Sequence, residues 1–139
     1  MTMTTIPESF YRVSVKVLIQ NEAGHFLLIR EANGMWDLPG GGLDHDETAE
    51  EGIRREMQEE MGIEPSFIAL HPRYFFTFIN PKGLPAANVI YEAKIIHHHF
   101  TPSPECEAMQ YFDPREIEGI TVYPNIPVLV ELLKKDEHR

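Results

Sequence analysis

From Phe10 to Gln20 apolar and polar side chains alternate, with Val13, Val15 and Val17 on one side and Ser14 and Lys16 on the other. A period of two belongs to a half-buried strand. Asn21-Glu22-Ala23-Gly24 is a run of turn residues and His25 to Arg30 reads as the returning strand, so the pattern predicts a hairpin. Met35 to Leu38 reads as a short extended piece. Pro39 then stops regular structure, and Gly40, Gly41 and Gly42 form a backbone that can pass close to another group. Strand patterns return at Phe67 to Phe78, Asn88 to His97 and Glu107 to Phe112, the first two joined by a loop containing Pro81, Gly83 and Pro85.

Between the glycines and the later strands the period lengthens. Ala49, Ile53, Met57 and Met61 fall at steps of four, the apolar stripe of a helix. Thr48 with Glu51 three residues on is a capping-box pattern, and Gly62 stands where a left-handed cap would end the helix. Asp113-Pro114 opens a helical turn through Glu118. A last helix starts near Asn125-Ile126-Pro127, with Val128, Leu129, Leu132 and Leu133 as its apolar face. Strands dominate, with one central and one terminal helix, which predicts an α+β chain: a mixed sheet with helices on both faces.

The chain has 139 residues, 42% of them hydrophobic and 24% charged, which suits one domain spanning 1–139. Twelve basic against 22 acidic residues leave a net charge of -10, which argues against nucleic acid and anionic lipid surfaces as partners. No basic region followed by an apolar run opens the chain and no apolar segment approaches a membrane span, so the cytoplasm is the expected compartment. The lone Cys106 excludes an internal disulfide, and Glu105 and Glu107 beside it disfavour a nucleophilic thiolate.

Charge becomes informative on the central helix. Relative to Glu56, Glu60 lies about 40° to one side and Glu59 about 60° to the other, so three carboxylates share one patch. Like charges at these spacings repel. A hard divalent cation such as magnesium or manganese, which takes oxygen ligands and bridges to phosphate, would offset that repulsion. The alternative is a solvated acidic face. Glu60 lies in angle between Ala49 and Ile53, so it is expected to be partly shielded, and Arg55, beside Glu59 and Glu51, can hold one of them as a bidentate pair.

Gly41, Glu47, Arg55, Glu56, Met57, Glu59, Glu60, Gly62 and Ile63 stand at the spacing of the Nudix box: G, five residues, E, seven residues, then R-E-U-x-E-E-x-G-U, with U bulky and aliphatic. The chain thus resembles the Nudix hydrolases, and the seven fixed identities would coincide by chance on the order of once in 10⁸ starting positions. The resemblance implies an α/β/α sandwich in which this loop and helix form the metal and diphosphate site. Glu56, Glu59 and Glu60 would be metal ligands for Mg2+ or Mn2+, joined by a backbone carbonyl in the glycine run, that of Gly40. Arg55, counted with the catalytic set, and Glu47 would brace the loop against the helix. Gly41 and Gly62 support the box. Asp46 and Gly52 depart from it, standing where glycine and alanine are usual, and Gly52 should cost the helix roughly 1 kcal/mol.

The implied reaction is in-line attack of water on a diphosphate of a nucleoside diphosphate linked to another moiety. Family members differ in their general base. Glu105, a few residues before Tyr111 and Phe112, resembles the later-loop glutamate that serves as base or extra ligand; Glu59 is the competitor. A nucleoside triphosphate pyrophosphohydrolase is the first substrate reading, with ADP-ribose, sugar nucleotides and dinucleoside polyphosphates as alternatives. Homodimers are common in the family, so a second copy is a candidate partner. Two rivals share the fold. A non-catalytic nucleotide sensor would usually have lost box glutamates, and a diphosphate isomerase would want a catalytic cysteine. His97, His98 and His99, read as strand neighbours, would point to alternate faces and could not converge on one ion. Trp36, Phe75, Phe76 and Phe78 are read as packing before base stacking.

Overall fold

Strand β1 (Arg12–Leu18) forms where the alternation places it, and its two faces feed two separate cores. The computed structural model describes residues 8–137. After β1 come β2 (Phe26–Arg30), β3 (Trp36–Asp37), β4 (Gly40–Gly42), helix α1 (Ala49–Met61), β5 (Phe67–Ile68), β6 (Tyr74–Ile79), β7 (Pro85–Lys94) and β8 (Ala108–Phe112). A 3-10 turn (Pro114–Glu116) and helix α2 (Asn125–Glu137) follow. One sheet runs β4-β1-β7-β5, with β6 also on β7, and β1 lies parallel to β7 while its other pairings are antiparallel. The second sheet runs β3-β2-β8. The mixed, two-helix architecture is the α+β arrangement expected.

Val15, Val17 and Ile19 pack with Leu27 and Ile29 under α1, against Ile53, Met57 and Met61. Leu18, Phe26 and Leu28 point the other way, against Ile126, Leu129, Val130 and Leu133 of α2. Strands β1 and β2 are therefore covered on both faces, by α1 on one side and α2 on the other, which makes an α/β/α sandwich.

Several local expectations change. β1 and β2 are not a paired hairpin: the turn forms and Gln20 bridges Phe26, but the strands then part into different sheets. Both edges of β1 are taken by β4 and β7, and both edges of β2 by β3 and β8, so neither has an edge left for the other. The glycine run is a strand, paired to β1, rather than irregular backbone. Phe67 to Phe78 divides into β5 and β6. Pro85 opens β7 instead of ending the loop before it, a position where its missing N–H is tolerated. β7 stops at Lys94, so His97, His98 and His99 lie outside it; His97 and His99 stack on each other and His98 meets the Tyr111 hydroxyl at 2.8 Å. On α2 the buried stripe is Ile126, Leu129, Val130 and Leu133, rotated from the expected one, with Val128 and Leu132 half-buried. Among the described residues no helix is long and apolar enough to cross a membrane.

Gly52 is not simply a weak point in α1. A methyl group there would lie 2.8 Å from Leu43 Cδ1, 3.0 Å from Glu47 Oε1 and 3.3 Å from Val15 Cγ2. Leu43 can yield, but Glu47 is pinned by Arg55 and by the Asp44 N–H. Gly52→Ala is therefore expected to bring no rise in Tm, the propensity gain of about 1 kcal/mol being offset by crowding. A thermal melt showing a rise of several degrees would mean that the packing around Glu47 yields freely.

Candidate metal centre

Helix α1 is held in register at both ends. The Thr48 hydroxyl accepts from Glu51 N–H at 3.2 Å while the Glu51 carboxylate accepts from Thr48 N–H at 2.9 Å. At the other end Gly62, with φ 68°, donates to the carbonyls of Met57 and Gln58. Asp46, in the loop before the helix, has φ 64°, which explains why glycine is usual at that position of the box.

This register aims Glu56 and Glu60 at strand β4. A methyl group on Gly41 would lie 2.5 Å from Glu56 Oε2, so the missing side chain is what admits that carboxylate. Gly40 donates its N–H to Glu60 Oε1 at 2.9 Å. Glu105 reaches the same place from the loop before β8. One carboxylate oxygen from each of Glu56, Glu60 and Glu105 lies within 4.8 Å of the others. Burial drives the Glu60 carboxyl well above the ordinary carboxylate range, with Lys16 and the Gly40 N–H pulling the other way. Glu105 is also raised, by burial first and then by the charges of Glu56 and Glu59. Three oxygen donors so close, one almost fully buried, fit a hard divalent cation: the ion would supply the charge they lack.

Glu59 does not join them. Its side chain is 54% exposed and lies 3.4 Å from Arg55 Nη1. Arg55 directs its fork not at Glu59 or Glu51 but at Glu47, Nε to Oε2 at 2.7 Å and Nη2 to Oε1 at 2.9 Å. It also reaches Glu56 at 2.9 Å and the Gly42 carbonyl at 3.0 Å. Glu51 is occupied in the capping box. Arg55 thus ties β4, the loop and the helix together.

Arg55 holds Glu47 down to about 2, helped by the Asp44 N–H. A depressed carboxyl stabilises the fold above its ordinary pKa of 4.5 and loses that contribution as pH falls towards about 2. Glu47→Gln should therefore be less stable than the parent at neutral pH, and the two urea-denaturation midpoints should converge across that acid window. A constant gap would remove the Arg55 pairing as the cause.

Sequence reading missed Lys16 and Asp37. Lys16, assigned to the polar side of β1, is 7% exposed and lines the acidic cavity, which measures about 270 Å3. Its ammonium donates to Asp37 Oδ2 at 2.9 Å, to the Leu38 carbonyl at 3.3 Å and to the Gly40 carbonyl at 2.9 Å. Burial opposes the charge, but Asp37 and Glu60 outweigh it and raise the lysine above its ordinary pKa. The signal was the apolar run Val17-Leu18-Ile19 directly after it, which breaks the alternation and marks buried surroundings. Asp37 in turn accepts from Asn125, which also donates to Asn88, both at 2.9 Å. A second cavity of about 150 Å3 adjoins the first, sharing Lys16, Asp37 and Tyr123 and adding Arg12, Phe78 and Asn125.

The remaining candidates fall away from the site. Cys106 is buried, and burial together with Glu60 pushes its thiol up to about 11, which disfavours a nucleophile. Trp36 packs edge-on against Phe112 at 4.9 Å. Phe76 is buried as expected; Phe75, expected in the packing, is 66% exposed, because it lies on the sheet face away from α2.

The NUDIX domain family matches residues 10–136. A MutT-like protein of Streptomyces ambofaciens is 52% identical over 54 residues, 38% of this chain and 35% of that protein. An RNA pyrophosphohydrolase of Marinomonas sp. (strain MWYL1) is 41% identical over 56 residues, 40% of this chain and 35% of its own length. These alignments span about a third of the length of either relative. Among solved structures, the MutT protein from Methanosarcina mazei Go1 is similar with a TM-score of 0.73 and 28% identity, over 96% of this chain and 99% of that one. The match takes in every element from β1 into α2, with Glu56 and Glu60 set against the glycine strand: the chain belongs to the NUDIX domain family.

Proposed function

We propose that this chain, acting as one domain, is a divalent-metal-dependent pyrophosphohydrolase of nucleoside diphosphates linked to another moiety, with nucleoside triphosphates as first candidates. The observation that carries the reading is the convergence of Glu56, Glu60 and Glu105 within 4.8 Å beside the Gly40–Gly41 backbone. These three would hold magnesium or manganese. Such an ion, when bound, supplies the positive charge a diphosphate requires and the acidity that makes water a nucleophile near neutral pH.

The chain's own residues do the rest. Arg55 and Glu47 fix the loop so that the carboxylates keep their spacing. A carboxylate accepts the proton of the attacking water as its oxygen bonds to phosphorus and the bridging P–O bond breaks. The proximity of Glu105 to Glu56 and Glu60 supports it in this role over Glu59, whose exposed side chain lies against Arg55. The adjoining cavity, with Phe78, Tyr123 and Asn125, offers a polar and aromatic berth for the nucleoside. The net charge of -10 favours a small nucleotide over a long polyanion.

A screen of the purified protein with Mg2+ tests this. Nucleoside triphosphates, ADP-ribose, sugar nucleotides, dinucleoside polyphosphates and 5′-triphosphorylated RNA are offered, and released phosphate or pyrophosphate is read. Metal-dependent turnover of a nucleoside triphosphate to monophosphate and pyrophosphate is expected. Nucleotide binding with no turnover of any of them would make the chain a sensor instead.

A further inference from the structure

We propose that Lys16 is a positioning residue that withholds the Gly40 carbonyl from the divalent cation and confines the ion to the three carboxylates. This rests on the metal-dependent reading above. It departs from the box's usual ligand set, in which that carbonyl takes part.

The ammonium has three N–H groups and three acceptors at Asp37, Leu38 and Gly40, so it has no spare donor. At 7% exposure it has no easy route outwards. Its main tether is itself fixed, because Asp37 accepts from Asn125 at 2.9 Å and from the Leu38 N–H at 2.7 Å. The Gly40 carbonyl is equally fixed. Its residue has φ 118°, a Cβ there would collide with the Val15 carbonyl oxygen, and its N–H is committed to Glu60. A dication on the same oxygen would stand within about 5 Å of the ammonium in a shielded site, where like charges repel strongly. Glu60 and Glu31 also face Lys16 and add to its attraction for the site. The cation is thereby displaced towards Glu105, and Lys16 sets its affinity by standing as a built-in competitor.

Two measurements test this without reference to turnover. Mn2+ binding, followed by the EPR signal of the free ion, is compared among the parent, Lys16→Met and Lys16→Gln, each checked for folding by a thermal melt. Both variants remove the charge, and methionine also leaves the carbonyl without a side-chain donor, so both are expected to bind Mn2+ about tenfold tighter or more. Unchanged or weaker binding in a folded variant would overturn the proposal. The unaltered protein gives a second reading that needs no variant to fold. On Mg2+ titration the carboxyl carbons of Glu56, Glu60 and Glu105 should shift in 13C NMR while the Gly40 carbonyl carbon stays in place. A Gly40 shift in step with the carboxyls overturns the proposal alone. A parent protein that binds no Mn2+ overturns it together with the metal-dependent reading.

Discussion

Glu60→Gln is expected to reduce metal-dependent hydrolysis by roughly 10³-fold or more, the scale of losing a key electrostatic contact in a transition state. The fold should not suffer. The amide has the shape of the carboxylate, Gly40 N–H keeps an oxygen to donate to, and Lys16 keeps Asp37. What disappears is a carboxylate that is 6% exposed, whose burial is costly whenever no cation shares the space. The variant's Tm without metal should therefore equal or exceed the parent's. Adding Mg2+ should raise the parent's Tm through binding linkage and leave the variant's unmoved. A variant that retains activity within tenfold would take Glu60 out of the ligand set.

The part of this site that sequence discloses is the part that is local. Capping residues, the four-step stripe and the Gly62 cap are all read within one helix, and α1 runs between the limits they set. The shielding of Glu60 follows from its angle on the helical wheel, and burial exceeds that expectation. Whatever depends on a distant partner is harder to see. The wheel gave Arg55 neighbours on its own helix, whereas its fork closes on Glu47, eight residues back in a loop whose path the wheel does not contain. The turn after β1 was legible, but strand pairing is decided by which edges other strands occupy, and β7 lies far along the chain. Lys16 is the clearest case. An alternating strand only says that one face differs from the other, and here Lys16 on that face lines the acidic cavity rather than the outer surface.

The same division bears on the general base, where sequence left Glu59 and Glu105 as rivals. Glu105→Gln is expected to lower kcat by about 10² to 10³, within the range for losing a general base or a ligand. Glu59→Gln should cost markedly less. Both are loop- or helix-borne acids of similar intrinsic strength, so position must separate them. Glu105 has an oxygen within 4.8 Å of those of Glu56 and Glu60, while Glu59 is 54% exposed and engaged with Arg55. Steady-state kinetics of the two variants, run at saturating Mg2+ so that weakened metal binding is not read as lost chemistry, separate the roles. A larger loss for Glu59→Gln would mean that binding the cation and substrate turns Glu59 inward, and that Glu105 serves as an auxiliary carboxylate.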